Sequence, residues 1–230
     1  MIVDLSADLG EGSPGEDEVW PLITSANVAC GGHVGDDDSM REAARLAVAH
    51  GVRLGAHPSY PDREHFGRRS LSMPANALRA SLLAQLAALR AFAPIHHVKP
   101  HGALYNDAHR DRALAGTIVD AMRACDASLA IVCSDLSQMA GAARAAGVRV
   151  IREAFADRRY EPDASLVARS IAGSTLTIDE AAAQAALLVR EGVAIARDGT
   201  RVAIPFDTIC VHADMPDAPA RLRAIRAALA

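Results

Sequence analysis

Short runs of Val, Ile, Leu and Ala alternate along the chain with longer stretches whose apolar positions recur every three to four residues. The short runs predict strands at Ile2–Ala7, Ser25–Ala29, Arg53–Ala56, Ile95–Lys99, Leu129–Cys133, Val148–Glu153 and Thr208–His212, each passing into glycine or polar residues. Between them the longer period predicts helices. Ser39-Met40-Arg41-Glu42 reads as a capping box ahead of Ala43–His50, and Gly51 sits where a helix ends. Pro74 suits the first turn of a helix over Ala75–Phe92, since its missing N–H would have no partner there. Further helices are expected at Arg112–Ala124, Leu136–Ala146, Ile178–Ala196 (behind a Thr177–Glu180 capping box) and Pro219–Leu229.

Strands that alternate with helices pair in parallel, because each crossover returns to the same edge of the sheet. Seven strands in 230 residues predict a single α/β domain over 1–230, a closed or nearly closed β/α barrel. A doubly wound open sheet is the competing arrangement. Residues 158–176 fit neither pattern and read as an insertion or lid.

Composition narrows the function classes. With 24 basic against 28 acidic residues and 3% aromatic residues, the chain offers little to a phosphate backbone or to stacked bases, so no nucleic-acid partner is expected. No apolar run approaches the ~20 residues of a membrane span. No basic, secretory-type leader precedes the first strand, which points to the cytoplasm. Cys30, Cys125, Cys133 and Cys210 form no CxxC pair and read as buried, reduced thiols. Lys99 is the only lysine among the 24 basic residues.

The residues just past each strand carry the chemistry. His33, His57, His101 and His212 follow four different strands, and in a parallel barrel those ends converge on one mouth. His50, His65, His96 and His109 read as structural, and Asp4 as an internal hydrogen-bonding group; Asp8 and Glu11 stand nearer the mouth. The run Asp36-Asp37-Asp38 reads as helix-terminal acid, with Asp36 alone also a candidate for the mouth. Arg68-Arg69 is either surface charge or a bidentate clamp for a carboxylate or phosphate. Lys99, at the end of a buried strand, requires a carboxylate such as Asp8, Glu153 or Asp157, or a functional role. No GxxxxGK[ST], HExxH or GxSxG signature occurs, and Gly10-Glu11-Gly12-Ser13-Pro14-Gly15 is only weak support for phosphate. One Asp with two His could hold a divalent metal; spacing does not choose among the histidines.

Several of these segments together resemble the LamB/YcsF family: Asp4–Glu11, Ser25–His33, Gly55-Ala56-His57-Pro58, Phe66-Gly67-Arg68-Arg69, Val98–Asn106, Phe155-Ala156-Asp157-Arg158 and Cys210-Val211-His212. They run from the first strand to the last. Ser6 stands where the family usually has Asn, Gly32 where a bulky apolar residue is common, and Ala213 where Gly is usual.

The resemblance implies a distorted seven-stranded β/α (TIM-like) barrel of the glycoside hydrolase/deacetylase superfamily. It implies one component of an ATP-dependent 5-oxoprolinase, the A subunit, opening the lactam of 5-oxoproline to glutamate with partner subunits B and C. The alternatives are a metal-dependent carbohydrate deacetylase or amidohydrolase and a non-catalytic substrate-binding subunit. The implied catalytic residues are Asp8, Lys99, His101, Asp157 and Arg158. Lys99 and Arg158 would meet developing negative charge, Asp8 or Asp157 would activate water, and His101 would be acid or metal ligand. Substrate contacts would come from Glu11, Asn27, His33, Arg68, Arg69, Tyr105, Asn106, Glu153, His212 and Asp214. Superfamily analogy places a divalent metal, if one binds, on Asp8, His57 and His101, with His33 as alternate.

Overall fold

A computed structural model describes residues 3–215 and 217–230. Seven parallel strands close into a barrel: β1 (Asp4–Leu9), β2 (Ser25–Ala29), β3 (Arg53–His57), β4 (His97–Val98), β5 (Ala130–Cys133), β6 (Val150–Phe155) and β9 (Thr208–Val211), with β9 returning to β1. The remaining two, β7 (Val193–Ile195) and β8 (Arg201–Ala203), form a separate antiparallel hairpin. The closed barrel is thus borne out, and the open-sheet alternative is not formed.

The pleat sorts the chemistry. Outward positions such as Leu5, Ala7 and Leu9 of β1, Leu54 and Ala56 of β3, and Ile209 and Val211 of β9 are fully or nearly buried beneath the helices. Inward positions are polar: Ser6 and Asp8, Ser25 and Asn27, His97 on β4 with Lys99 just beyond it, and Glu153 on β6 are all buried. Barrel interiors are usually packed with branched aliphatics. Here the inner face is a hydrogen-bonded polar column, and the apolar core lies between sheet and helices.

The helices are α1 (Asp37–His50), α2 (Ala75–Arg90), α3 (Gly102–Arg110), α4 (Arg112–Cys125), α5 (Gln138–Ala145), α6 (Ile178–Glu191) and α7 (Ala218–Leu229). In α2, Leu78, Leu82, Leu86 and Leu89 make one buried stripe facing the sheet. No helix among the described residues is long and apolar enough to cross a membrane. All four cysteines are free thiols, with Cys125 half-buried rather than buried.

Several boundaries differ from expectation. The capping box of α1 is Asp36 with Ser39, not Ser39 with Glu42; Asp36 Oδ1 accepts the Ser39 N–H at 2.9 Å, and Glu42 instead pairs with Arg45. The acidic run extends the helix one turn upstream, as the macrodipole favours. The helix expected to reach Ala196 stops at Glu191, because Gly192 takes φ 68° and the apolar residues after it enter the β7–β8 hairpin. Helix α3 lies outside the predicted elements; it begins at Gly102 with φ 56°, directly after Pro100-His101. The first strand runs two residues further than expected, its expected first residue, Ile2, lying outside the described residues. Residues 158–176 fold back on themselves through Arg158–Thr175 and Tyr160–Leu166 bridges, and Leu166, Val167 and Arg169 wall the barrel mouth.

Gly55 shows how tightly the inner column is filled: a Cβ there would lie 2.1 Å from Nε2 of His97. Gly116, inside α4, has no such neighbour. Gly55→Ala is therefore expected to lower the unfolding free energy by about 1–3 kcal/mol through overpacking. Gly116→Ala should raise it by about 0.5–1 kcal/mol through helix propensity. Urea unfolding of the two variants checks the pair, and equal effects would contradict the packing described.

Candidate functional site

At the carboxyl ends of the strands lies a cavity of about 450 Å³. Its floor is built around Lys99, whose ammonium is almost completely buried. Nζ donates to both oxygens of Asp8 (2.9 and 3.1 Å), lies 2.8 Å from Oε1 of Glu153 and 3.1 Å from Sγ of Cys210. Burial alone would favour the neutral amine, but Asp8 foremost among its neighbours reverses this and holds the Lys99 pKa well above its ordinary value. Burial would likewise raise Asp8; His57 and then Lys99 outweigh it and hold the carboxyl well below the usual range. The ammonium therefore faces two carboxylates. Glu153 Oε1 pairs closely with Nζ, and among the described residues neither Glu153 oxygen has a well-aligned hydrogen-bond donor.

Below Asp8, Asn27 Nδ2 donates to Oδ1 at 2.9 Å, and the Asn27 carbonyl oxygen faces Nε2 of His97 at 2.9 Å. Asn27 is thus a support under the cavity floor and not part of the lining, where a substrate contact would stand.

The second group is imidazole. Nδ1–H of His57 donates to the Lys99 carbonyl (2.7 Å), and Nε2–H of His101 to the Phe66 carbonyl (3.0 Å). These carbonyls can only accept, so each ring turns its other nitrogen, a lone pair, toward its neighbour; the two lie 2.9 Å apart. Asp8 Oδ2 (3.3 Å from His57 Nε2) and Glu11 Oε1 (3.4 Å from His101 Nδ1) border the gap, which therefore suits an extra proton or a cation. His33 stacks on His101 with centroids 3.7 Å apart and places Nε2 3.1 Å from Glu11 Oε1, while its buried Nδ1 has no partner among the described residues. Burial pushes the His33 pKa down to about 4. Burial would raise Glu11, but the neighbouring imidazoles, His101 and then His33, outweigh it and lower its pKa.

The donor atoms of Glu11, His33 and His101 all lie within 4.8 Å of one another, a carboxylate–imidazole set chemically suited to a divalent cation. This set shares His101 with the expected trio of Asp8, His57 and His101 and includes the expected alternate, His33, with Glu11 as its carboxylate. His57 is drawn away because Lys99 O fixes its Nδ1 and Asp8 shares its Nε2. The glycine-rich loop after β1 has its own anion: the Glu16 carboxylate accepts the N–H groups of Gly10, Glu11, Gly12 and Ser13. It is not free to cradle a phosphate.

The upper wall carries His212 and three arginines. His212 Nδ1 lies 3.1 Å from both oxygens of Asp157, and its ring stacks on Phe155 with centroids 5.5 Å apart. Burial would raise Asp157; His212 outweighs it, so the carboxyl sits below its usual value. Asp157 is fully buried beneath His212 and does not line the cavity. Arg158 is buried, donating to the Val167 carbonyl, and burial followed by Arg169 lowers its pKa. Asp214 Oδ2 accepts from both Arg68 (2.6 Å) and Arg169 (2.8 Å). Two guanidinium groups therefore share one carboxylate, with the Arg158 guanidinium in the same wall, leaving this end of the cavity cationic. Tyr105 and Asn106 also line it, whereas Arg69 is exposed and outside it, as is Asp36 at the cap of α1. His109, which reads as structural in the sequence, borders the cavity. Arg169 carries no sequence signal for the site, since it lies in the segment without periodicity; Phe155 belongs to one of the segments that carry the family resemblance but is not among the expected site residues.

A parallel β/α barrel whose strand ends surround one ionisable cavity defines the class of protein. The chain belongs to the LamB/YcsF family, whose model matches residues 3–230. It is 48% identical over 239 aligned residues to the 5-oxoprolinase A subunit of Methylococcus capsulatus, covering 99% of this chain and 92% of that protein. It is 47% identical to the protein of the same name from Thermus thermophilus, covering 100% and 96%. The crystal structure of a lactam utilization protein from Thermus thermophilus superimposes with a TM-score of 0.93 at 45% identity, covering 100% of this chain and 96% of that one.

His97 offers a direct check of the inner column. Burial holds its pKa down at about 4, against 6.5 for an unburied imidazole. Between those values the unfolded chain binds a proton that the folded one refuses, so stability falls as pH falls. Compared with His97→Gln, wild type should show an additional slope of about 1.4 kcal/mol per pH unit between pH 6.5 and 4. Denaturant unfolding at several pH values measures it; parallel curves would refute a neutral buried His97.

Proposed function

We propose that this chain acts as the A subunit of an ATP-dependent 5-oxoprolinase, hydrolysing the lactam of 5-oxoproline to glutamate together with partner subunits B and C. The carrying observation is the polarity of the cavity: a buried ammonium at the floor and an excess of guanidinium at the mouth. A five-membered lactam bearing a carboxylate has matching ends. Its carboxylate suits Arg68, Arg158 and Arg169, while its carbonyl oxygen suits Lys99, where negative charge would develop during attack. The names of the relatives support the substrate, and the cavity is larger than one such ring fills, leaving room for a phosphoryl group on the carbonyl oxygen. Phosphorylation would make the amide carbon electrophilic, which explains a need for ATP.

A second reading, a metal-dependent amidohydrolase working without ATP, draws on the Glu11–His33–His101 set. A divalent cation held there would polarise a carbonyl as a Lewis acid. On this reading Glu11→Gln lowers the bound metal, measured by elemental analysis of the purified protein, by about tenfold or more; equal content in both proteins removes these residues as ligands.

Mixing the chain with its partner subunits and measuring glutamate from 5-oxoproline, with and without ATP, decides between the readings. ATP-dependent glutamate formation is expected, and its absence overturns the proposal. In that assay Lys99→Ala should lose about 10²-fold or more in turnover. It should also lose about 3–5 kcal/mol of stability, because Asp8 and Glu153 would stay buried without their cation. Wild-type turnover in this variant removes the lysine from the reaction.

A further inference from the structure

We propose that His212 is the proton carrier of ring opening and that Asp157 is the positioning residue that fits it for that role; this rests on the lactam-opening reading above. The choice follows from which nitrogens and oxygens are free. His57 and His101 have both ring nitrogens engaged, and His33 lies buried outside the cavity lining. Asp8 is committed to Lys99 and Asn27. His212 differs. Its Nδ1 meets Asp157, its ring is partly exposed in the cavity wall, and its Nε2 has no protein partner among the described residues.

Asp157 is built to orient and not to react. Its Oδ2 accepts the main-chain N–H of His212 at 2.9 Å, and both oxygens lie 3.1 Å from Nδ1. An ionised carboxylate can only accept, so the ring proton resides on Nδ1 and the Nε2 lone pair faces the cavity. Phe155 holds the ring in plane by stacking at 16°, and the Lys99 ammonium lies 5.4 Å from the centroid of the same Phe155 ring. The base and the charge that would receive the carbonyl oxygen thus border one region of the cavity.

The step is attack of water on the carbonyl carbon of the phosphorylated lactam; the ring C–N bond breaks to leave an acyl phosphate, which a second water hydrolyses to the glutamate carboxylate and inorganic phosphate. As the water oxygen bonds to the lactam carbon, its proton passes to Nε2, giving an imidazolium stabilised by Asp157. When the ring C–N bond breaks, Nε2–H returns that proton to the departing nitrogen. Asp157 stays ionised throughout.

The test uses the complex with its partner subunits and the assay of glutamate formation. His212→Ala should reduce turnover by about 10²- to 10⁴-fold. Asp157→Asn should reduce kcat by a comparable factor with the KM for 5-oxoproline changed less than about twofold, since its amide would donate to Nδ1 and move the ring proton to Nε2. Asp157→Glu should recover part of the loss. Wild-type rates in His212→Ala, or a loss in Asp157→Asn confined to KM, overturn the proposal. Nitrogen-15 NMR of the full-length wild-type chain provides a readout independent of turnover: the His212 proton is expected on Nδ1, and finding it on Nε2 overturns the dyad. If wild type forms no glutamate the lactam reading fails by itself, and the NMR measurement still decides the arrangement of the dyad.

Discussion

One buried ammonium organises the interior of this barrel. Lys99 is surrounded by Asp8, Glu153 and Cys210 at the point where β1, β4, β6 and β9 end. An isolated charge there would be expelled or neutralised. Two carboxylates make it tolerable, and they in turn depend on it. Asp8 is supported by Asn27, and Asn27 by His97, so a single polar column runs from the lysine down through the barrel. Replacing that column with aliphatic packing would in general stabilise a barrel more securely. Its retention at the strand ends places the demand on function and not on folding.

The column explains the division of the site. Negative charge gathers on the floor, in Asp8, Glu11 and Glu153, balanced by one lysine and by histidines. Positive charge gathers at the mouth, where Asp214 is shared by Arg68 and Arg169 and Arg158 stands alongside. Arg158 and Arg169 come from the segment after β6 that folds over the mouth, and buried Arg221 of α7 ties that segment's end down by donating to the Leu176 and Thr177 carbonyls. The floor is thus rigid sheet, while the cationic wall belongs to a loop held by its ends.

Much of this is legible in the residues because parallel topology removes freedom: once seven short apolar runs are separated by helices, the residues after each run must share a rim. His57, Lys99, His101 and His212 stand at the cavity accordingly. Depth is not legible in the same way. Asn27 and Asp157 follow the same inward pleat or strand-end placement, yet lie one layer behind the lining, because what covers them comes from His97, Asp8 and His212 on other strands. Local signals also compete. Val193–Ile195 continues the apolar pattern of α6 and only Gly192 marks the break, while three consecutive aspartates allow α1 more than one start. Arg169 is invisible in the sequence since its role depends on a carboxylate 45 residues away.

Glycine-rich sequence and anion affinity are separable here. The loop after β1 has the backbone amides a phosphate would seek, but the Glu16 carboxylate already accepts four of them, and burial raises its pKa. Bringing a phosphate to that loop would require displacing that carboxylate from the amides it already occupies. The guanidinium groups at the mouth carry no such occupant beyond Asp214. An incoming anion, whether carboxylate or phosphoryl, therefore meets its least opposed charge at the wall opposite the acidic floor. That orients the reacting carbonyl toward Lys99 before any chemistry begins.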